Sequence, residues 1–595
     1  MVDTLAHRGP DGRGEWVSPD GRTLFGHRRL SIIGPDERGA QPFRSDALDL
    51  TITFNGEIYN YPELRAELEA RGYRFVSDTD TEVILCAYDA WGLGCLNRFN
   101  GIFAFGLFDG RRDRIVLARD HVGVKPLVYW EGPDGGLVFA SEAKAILAHP
   151  AVKSAPCLSA IRSTWVHHLW QDNRMTWFEG IRNLEPGSYM VIDRNSRRRE
   201  RRTYWELVPR VGVEAGSYDH MAERFRELLT DAVRLQTRSD VGFSTTNSGG
   251  LDSSAITAIA AGMHPRVDAF TVCYEFDDAL PLQGGPSPDF KTGISRSSVD
   301  LWHARLLADS LDNVDLIEVL VRENCFSPHL IDACIYGLEQ MPYDTRIMAL
   351  YRLYEEIHDA GHKVTLIGQG PDEVWLGYYY DDAFWRYRPE QLSREYLARE
   401  HFPSDLPFAW DAWNGDFMSP ELARASSAEN LSHHMAGFAS GDPLNDLCAL
   451  GQRTILQSIL LTEDRMSMCH SVEARVPWVD YRLMELAFEV PSYVKIDSPD
   501  DNHAKYFNRQ ALRGIVPDAI IDRRKSPLPH PPESYRDRVV RDLVQQSLPE
   551  MRRSELVTSV FRRDFVDNAL TSGLSMRQLF TMYSLWRFEA VFFGS

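Results

Sequence analysis

No stretch of this sequence carries 18 or more consecutive apolar residues, so no transmembrane helix is predicted and no membrane partner is expected. The start, "MVDTLAHRGPDG", lacks the basic, apolar and small-residue parts of a secretory leader, which makes the cytoplasm the expected compartment. Cysteine is scarce, at 8 in 595 residues, and no CxxC pair occurs. That argues against a disulfide framework and against a zinc site. Positive charge is in deficit: 65 Lys and Arg against 85 Asp and Glu give a formal net charge of −20. Such a surface repels a phosphate backbone, so no nucleic-acid partner is expected. The one basic run, Arg197 to Arg202, reads as a solvated turn between strands. Internal repeats are absent as well.

What remains is the composition of a soluble globular protein, 44% hydrophobic and 25% charged, too long for one ordinary core. Residues 1 to about 205 hold short alternating apolar runs such as "DLTITFNGEIYN" and "GIFAFGLFDGRRDRIVLARD", punctuated by Gly, Asp and Asn. They predict layered antiparallel strands with a few helices, 81–92 among them. A stretch without period, "TYWELVPRVGVEAGSY" (203–218), places the boundary between a domain at 1–205 and one at 218–595. Beyond it Met221, Phe225, Leu228, Leu229, Ala232 and Val233 recur at helical spacing, and helices then alternate with β runs at 241–247, 268–274, 314–320 and 363–368. That alternation predicts a parallel sheet with helices on both faces. From about 385 the chain reads as helix and loop. A long Pro/Gly/Ser-rich segment, 275–298, reads as a lid or a disordered loop.

The segment "NSGGLDSSAI" (247–256) leaves a strand and opens a helix. Gly249 and Gly250 let the backbone approach a ligand closely, and the free N–H groups of a helix start attract an anion. The hydroxyls of Ser248, Ser253 and Ser254 add donors. Asp252 would repel a bare anion, so its presence implies a bridging Mg²⁺. A P-loop is excluded, because the lysine of GxxxxGK[ST] is missing. The knot fits pyrophosphate carried with Mg²⁺. A second loop, "LIGQGPDEVWLGYYY" (366–380), leaves another β run through Gly368 and Gly370 toward Asp372. At the carboxyl ends of parallel strands both loops face one crevice, and Asp372 becomes the second candidate metal ligand.

With the N-terminal motifs "LAHRGPDG", "FGHRRLSIIG", "FNGEIYNY", "SDTDTEVIL", "LARDHVGVKPL" and "FASEAKAIL", and with "EDRMSMCHSVEARVPWVD" (463–480), these loops make the chain resemble the glutamine-dependent asparagine synthetase family over nearly its whole length. The resemblance implies an α+β first domain, an αββα sandwich of the N-terminal-nucleophile glutaminase type. It implies an α/β second domain with a parallel sheet of the adenine nucleotide alpha-hydrolase kind and a largely helical extension. It implies ATP and Mg²⁺ as cofactors, and an acid such as aspartate that is adenylated and then takes ammonia, from glutamine or free, or another amine. A homodimer is the assembly it allows. Carried over, the glutamine pocket is Arg29, Asn55, Gly56, Glu57 and Asp80, with Arg29 and Asp80 on the substrate's α-carboxylate and α-amine and with Asn55 and Gly56 as oxyanion donors. The ATP site is Ser248 to Ser254 with Val272 and Gly368, the metal ligands are Asp252 and Asp372, and the catalytic set is Lys525, Asp252 and Gln369. Glu473 and Arg475 would shape the crevice rather than react.

Three features depart from the family pattern. The nucleophile expected at a mature N-terminal cysteine is missing; the first cysteine is Cys86, on an apolar helical run that reads as core. Either the start lies upstream of Met1, which the intact pocket favours, or the domain is inactive and the enzyme uses free ammonia or another amine. For the chain as it stands no glutaminase step is expected, since a thiolate supplies its covalent route. Gln369 stands where an acid is usual, and glutamine accepts no proton at pH 7. Either another base serves, the nucleophile needs none, or the amide is a tolerated isostere. The strand leading to the knot, "FSTTN", is polar where an apolar strand is expected. The alternatives are a specialised amide ligase with a non-ammonia nucleophile and an inactive protein that binds glutamine or nucleotide.

Overall fold

The computed structural model describes residues 1–167, 173–208, 216–274, 296–322, 326–342, 344–377, 419, 442–496, 504–523 and 533–594. The segment 275–298 therefore lies almost wholly outside the described residues, and Lys525 lies outside them as well.

The alternating runs of the N-terminal region become strands. β1 (Gly12–Val17) pairs antiparallel with β2 (Leu24–Arg29). β3 (Phe43–Ser45), β4 (Leu50–Ile58), β5 (Gly101–Asp109), β6 (Arg114–Arg119), β10 (Ser188–Asp193) and β11 (Arg199–Thr203) form a six-stranded sheet in the order β11-β10-β6-β5-β4-β3. A three-stranded sheet has the order β8 (Leu137–Ala140), β7 (Val128–Glu131), β9 (Ile181–Asn183). Side chains alternate along β5. Phe103, Phe105 and Leu107 share a cluster with Leu64, Leu68, Val83 and Ile84 of the helices Tyr61–Ala70 and Asp80–Trp91. Gly106, on the opposite face, lies against the Phe139 ring of β8. The helix Ala143–Leu147 packs on β7 and β8. The result is the expected αββα layering. The basic run departs from its prediction: Arg199–Thr203 is an edge strand paired with β10, and only the residues before it turn. Its charges are neutralised locally, Arg201 by Glu131 and Arg202 by Glu200.

The C-terminal region is built on five parallel strands in the order β14 (Val314–Val321), β13 (Val267–Tyr274), β12 (Ser244–Thr246), β15 (Val364–Leu366), β16 (Glu473–Arg475). From β12 the chain proceeds outward through β13 and β14 on one side, and β15 and β16 lie on the other. The order reverses between β12 and β15, where open parallel sheets place their ligand crevice. The helix Tyr218–Gln236 buries Met221, Phe225, Leu229, Ala232 and Val233, as its period predicts, and Ser217 caps it by accepting from the His220 N–H. Helices from Pro443 to Phe593 complete the region. Among the described residues β16 is the one strand found where helix and loop were expected. Among the described residues no helix is long and apolar enough to cross a membrane.

Candidate functional site

The polar strand "FSTTN" is buried, yet its groups are paired. Ser244 and Thr245 are fully buried, the Ser244 hydroxyl donates to the Val364 carbonyl, and Thr257 donates to Thr245 at 3.0 Å. Asn247 closes the strand. Its N–H donates to the Phe270 carbonyl, its amide to the Ala304 carbonyl, and its Oδ1 accepts from the Gly249 N–H at 3.1 Å and from the Ser254 hydroxyl. Asn247 thus folds the knot back on itself. Gly249 has φ +69°, and a Cβ there would run into the carbonyl of Asp300. Gly250 stands at the N-cap of the helix Leu251–Ala261 in extended conformation without a side-chain cap, so no side chain covers the first-turn N–H groups. The Ser248 N–H donates to the Ser253 hydroxyl at 3.1 Å, and the two hydroxyls lie 3.0 Å apart.

The loop after β15 lies directly against this helix start. A Cβ on Gly368 would sit 2.6 Å from the Ser253 nitrogen, which leaves room for glycine alone. Gly370 has φ +109° and opens the short helix Pro371–Val374 that carries Asp372. Asp252 and Asp372 converge on one cation, Lys505: its Nζ lies 2.5 Å from Asp252 Oδ2 and also pairs with Asp372. Burial alone would depress the Lys505 pKa, but the two carboxylates outweigh it and raise it. Asp252 Oδ1 is buried without a hydrogen-bond partner. Two carboxylates around one cation, with a coordinating oxygen to spare, suit a divalent metal shared with phosphate oxygens. The Trp478 indole donates to the Asp252 carbonyl, and Arg523 donates to the Gly249 carbonyl while pairing with Asp300. Arg523 ties the chain two residues before Lys525 to the glycine knot. Val272 is half-buried on β13, in register with Val319 of β14. Gln369 donates its amide to Glu463 at 2.8 Å.

In the N-terminal region all five expected pocket residues, Arg29, Asn55, Gly56, Glu57 and Asp80, line one cavity of about 710 Å³. Asn55 Nδ2 is buried without a partner, and Gly56 has φ +126°, where a Cβ would lie 2.0 Å from the Ile102 carbonyl oxygen of β5. Asp80 opens the helix Asp80–Trp91 and accepts the Ile58 N–H at 2.9 Å. Burial pushes its carboxyl up to about 6. Burial, with Asp80 adding to it, pushes Glu57 up too. Arg29 donates to the carbonyls of Asp36 (2.8 Å) and Gly34 (2.5 Å). Among the described residues no cysteine lines this cavity. Cys86 lies in the core of the helical layer, as expected, with its thiol pushed up to about 12 by burial.

Buried charges connect the two places. Arg475 of β16 is fully buried between Glu473 (2.9 Å) and Glu57 (3.5 Å). Lys125 pairs with Glu473 at 3.1 Å and Asp464 at 3.6 Å, and Arg8 with Asp464 and Glu142, both at 2.8 Å. These partners explain β16. A strand of sequence Glu-Ala-Arg can be buried because both of its charges are neutralised there. Lys505, Asn247 and Glu463 were not assigned roles from the sequence. Lys505 sits in "HAKYFNRQAL" with no motif to mark it.

A layered domain with a polar cavity, joined through buried ion pairs to a parallel sheet with an uncapped helix start, fits a two-domain amidotransferase. The matches to known proteins narrow it. Residues 1–205 match the glutamine amidotransferase domain family, and residues 224–592 match asparagine synthase. The chain is 32% identical over 556 residues to asparagine synthetase [glutamine-hydrolyzing] 3 of Bacillus subtilis, covering 90% of this chain and 84% of that one. It is 30% identical to a putative asparagine synthetase [glutamine-hydrolyzing] of Mycobacterium tuberculosis, covering 89% and 83%. It is also 26% identical to the protein named amidase chry2 of Gibberella zeae, covering 98% and 92%. The chain belongs to the asparagine synthetase family.

Proposed function

We propose that this protein is an ATP-dependent amide ligase. Residues 1–205 form a glutamine-binding unit and residues 218–595 a synthetase unit. A carboxylic acid, aspartate or a relative of it, attacks the α-phosphate of ATP to give an acyl-adenylate and pyrophosphate, and an amine then displaces AMP. Adenylation is needed because a free carboxylate is a poor electrophile. The observation that carries the reading is the convergence of the uncapped helix start after Gly250 with Asp252 and Asp372 around a single cation. Ser248, Ser253, Ser254 and the first-turn N–H groups would hold the pyrophosphate oxygens. Gly368 lets the second loop close over them, and Val272 would line the nucleotide side. Asp252 and Asp372 would hold Mg²⁺, which when bound neutralises charge on the departing pyrophosphate. Lys505 supplies positive charge at the same place, and Lys525 follows the anchor at Arg523 by two residues.

In the first unit Arg29 and Asp80 would bind the α-carboxylate and α-ammonium of glutamine, and the unpartnered Asn55 amide with the Gly56 N–H would serve as oxyanion donors. Gln369 favours a second form of the same reading, a dedicated ligase with a nucleophile other than ammonia, and the amidase-named fungal relative fits it.

Pyrophosphate release from ATP, measured with aspartate, glutamate and related acids against glutamine, ammonium and other amines, tests the reading. Release that requires one acid supports ligation. Aspartate with ammonium alone identifies asparagine formation. No release with any pair overturns the reading in favour of an inactive binding protein.

A further inference from the structure

Gln369 leaves position 369 of the second loop without an acid, and the structure supplies one beside it from another element. Glu463 lies on the helix Ile455–Met468 and is buried. Its Oε1 accepts the Gln369 amide at 2.8 Å, and its Oε2 accepts the Tyr354 hydroxyl at 2.5 Å from the helix Arg346–Asp359. The flanking residues of the same helix turn to other partners: Asp464 to Arg8 and Lys125, Arg465 to Glu142 and Glu339. Among the described residues no cation pairs with Glu463. The carboxylates of the ion pairs along this interface, Glu57, Glu142, Asp464 and Glu473, each have an Arg or Lys beside them. A carboxylate held by two neutral donors keeps the capacity to take a proton, which a cation would suppress.

We propose that Glu463 is the proton acceptor for the incoming amine, replacing the acid missing at position 369, with Gln369 and Tyr354 as its positioning residues. This rests on the adenylation reading above. The amine nitrogen attacks the acyl carbon of the acyl-adenylate. A C–N bond forms, the acyl C–O bond to phosphate breaks, and AMP leaves with that electron pair. The attacking nitrogen, now bearing one proton too many, gives it to the Glu463 carboxylate, which becomes a carboxylic acid. The Gln369 amide donates to Glu463, and its own carbonyl oxygen can accept an N–H of the amine. Burial raises the Glu463 carboxyl above its ordinary range, against the two hydrogen bonds that lower it. Tyr354, the titratable group in contact with it, is itself raised by burial and stays neutral. The helix reaches the N-terminal region through Gln457, which donates to the Val122 carbonyl at 2.5 Å. The acceptor thus sits on the element that joins the two regions.

The test separates the two half-reactions with the acid identified by the pyrophosphate assay and with ammonium chloride. Glu463→Gln should keep acid-dependent ATP–pyrophosphate exchange within about threefold while amide formation falls about 10²–10³-fold. The acid limb of the pH–rate profile should vanish with it. Moving the acid back, in the double variant E463Q/Q369E, should restore at least about tenfold of the loss. If E463Q does not fold, Glu463→Asp carries the test: it keeps the charge and withdraws it by one carbon, so amide formation should fall about tenfold with exchange unchanged. Amide formation within threefold of the parent in E463Q, or exchange and amide formation falling together in the variant that folds, would overturn the role of Glu463. Absence of exchange in the parent with every acid would instead overturn the adenylation reading itself.

Discussion

The two candidate sites handle buried charge in opposite ways. In the synthetase crevice two carboxylates share an internal cation, Lys505, and Asp252 keeps one free oxygen. In the N-terminal cavity burial, with Asp80 adding to it, raises Glu57, burial raises Asp80, and the guanidinium of Arg475 reaches Glu57 only at 3.5 Å. Arg29 spends its donors on backbone carbonyls. The first site carries its counterion within the chain, so a metal must compete with a lysine. The second leaves negative charge for a ligand's ammonium to complete. A site of the first kind is governed by metal and geometry, and one of the second kind by pH.

The largest expected effect breaks the first site and spares the second. Asp252→Asn removes a carboxylate from the shared cation and should lower acid-dependent ATP cleavage by at least about 10³-fold, with glutamine binding unchanged by calorimetry. ATP cleavage at the parent's rate would refute the pyrophosphate cradle. Next comes the link between the sites. Arg475→Met strands Glu57 in a buried setting, leaves Glu473 with Lys125 alone and removes donors to the Gln236 and Arg238 carbonyls. Breaking a buried pair costs about 3–5 kcal/mol, and thermal melting should show both regions weakened together. A melt that moved only the C-terminal transition would mean the ion pairs do not couple the regions. Smaller still, Gly249→Ala forces a side chain into a left-handed backbone, costing about 1–2 kcal/mol, and presses it on the Asp300 carbonyl. ATP affinity should fall about tenfold or more, while glutamine binding again stays constant.

The outcome of reading the sequence divides along the same physical line. Backbone demands were legible. Gly249 with its positive φ and Gly368 with no space for a Cβ had to be glycine, and the hydrophobic period of Tyr218–Gln236 set its buried face. The parallel sheet that puts both loops at the carboxyl ends of its strands followed from alternating helices and β runs, whereas the strand order did not. Pairings between distant side chains were not legible. Lys505 has no local pattern, and β16 escaped because three residues with two charges resemble a strand only once Lys125 and Glu57 are in place. The polarity of "FSTTN" had no account until Thr257 and the Val364 carbonyl met its hydroxyls. The loss of an acid at Gln369 was visible at once, whereas its neighbour Glu463 lay unmarked inside "EDRMSM". Long-range electrostatics is the part of this molecule that a single sequence hides.

The smallest expected effect is the sharpest test of the contrast, because only one site should show it. Burial raises the Asp80 carboxyl from 3.8 to about 6. The native pocket therefore holds this proton more tightly than the unfolded chain does. The stabilisation this gives is fully present below the unfolded value and is lost as pH rises through about 6. Glutamine binding runs the other way. Its α-ammonium needs the ionised carboxylate, which is about nine-tenths formed at pH 7 and about one-tenth at pH 5. Affinity for glutamine, measured by calorimetry, should therefore fall about tenfold between pH 7 and pH 5. Asp80→Asn should bind weakly at both values with the slope removed. Should the parent bind glutamine equally well at both pH values, Asp80 would not be the group that receives the ammonium, and the pocket would be governed by geometry as the crevice is.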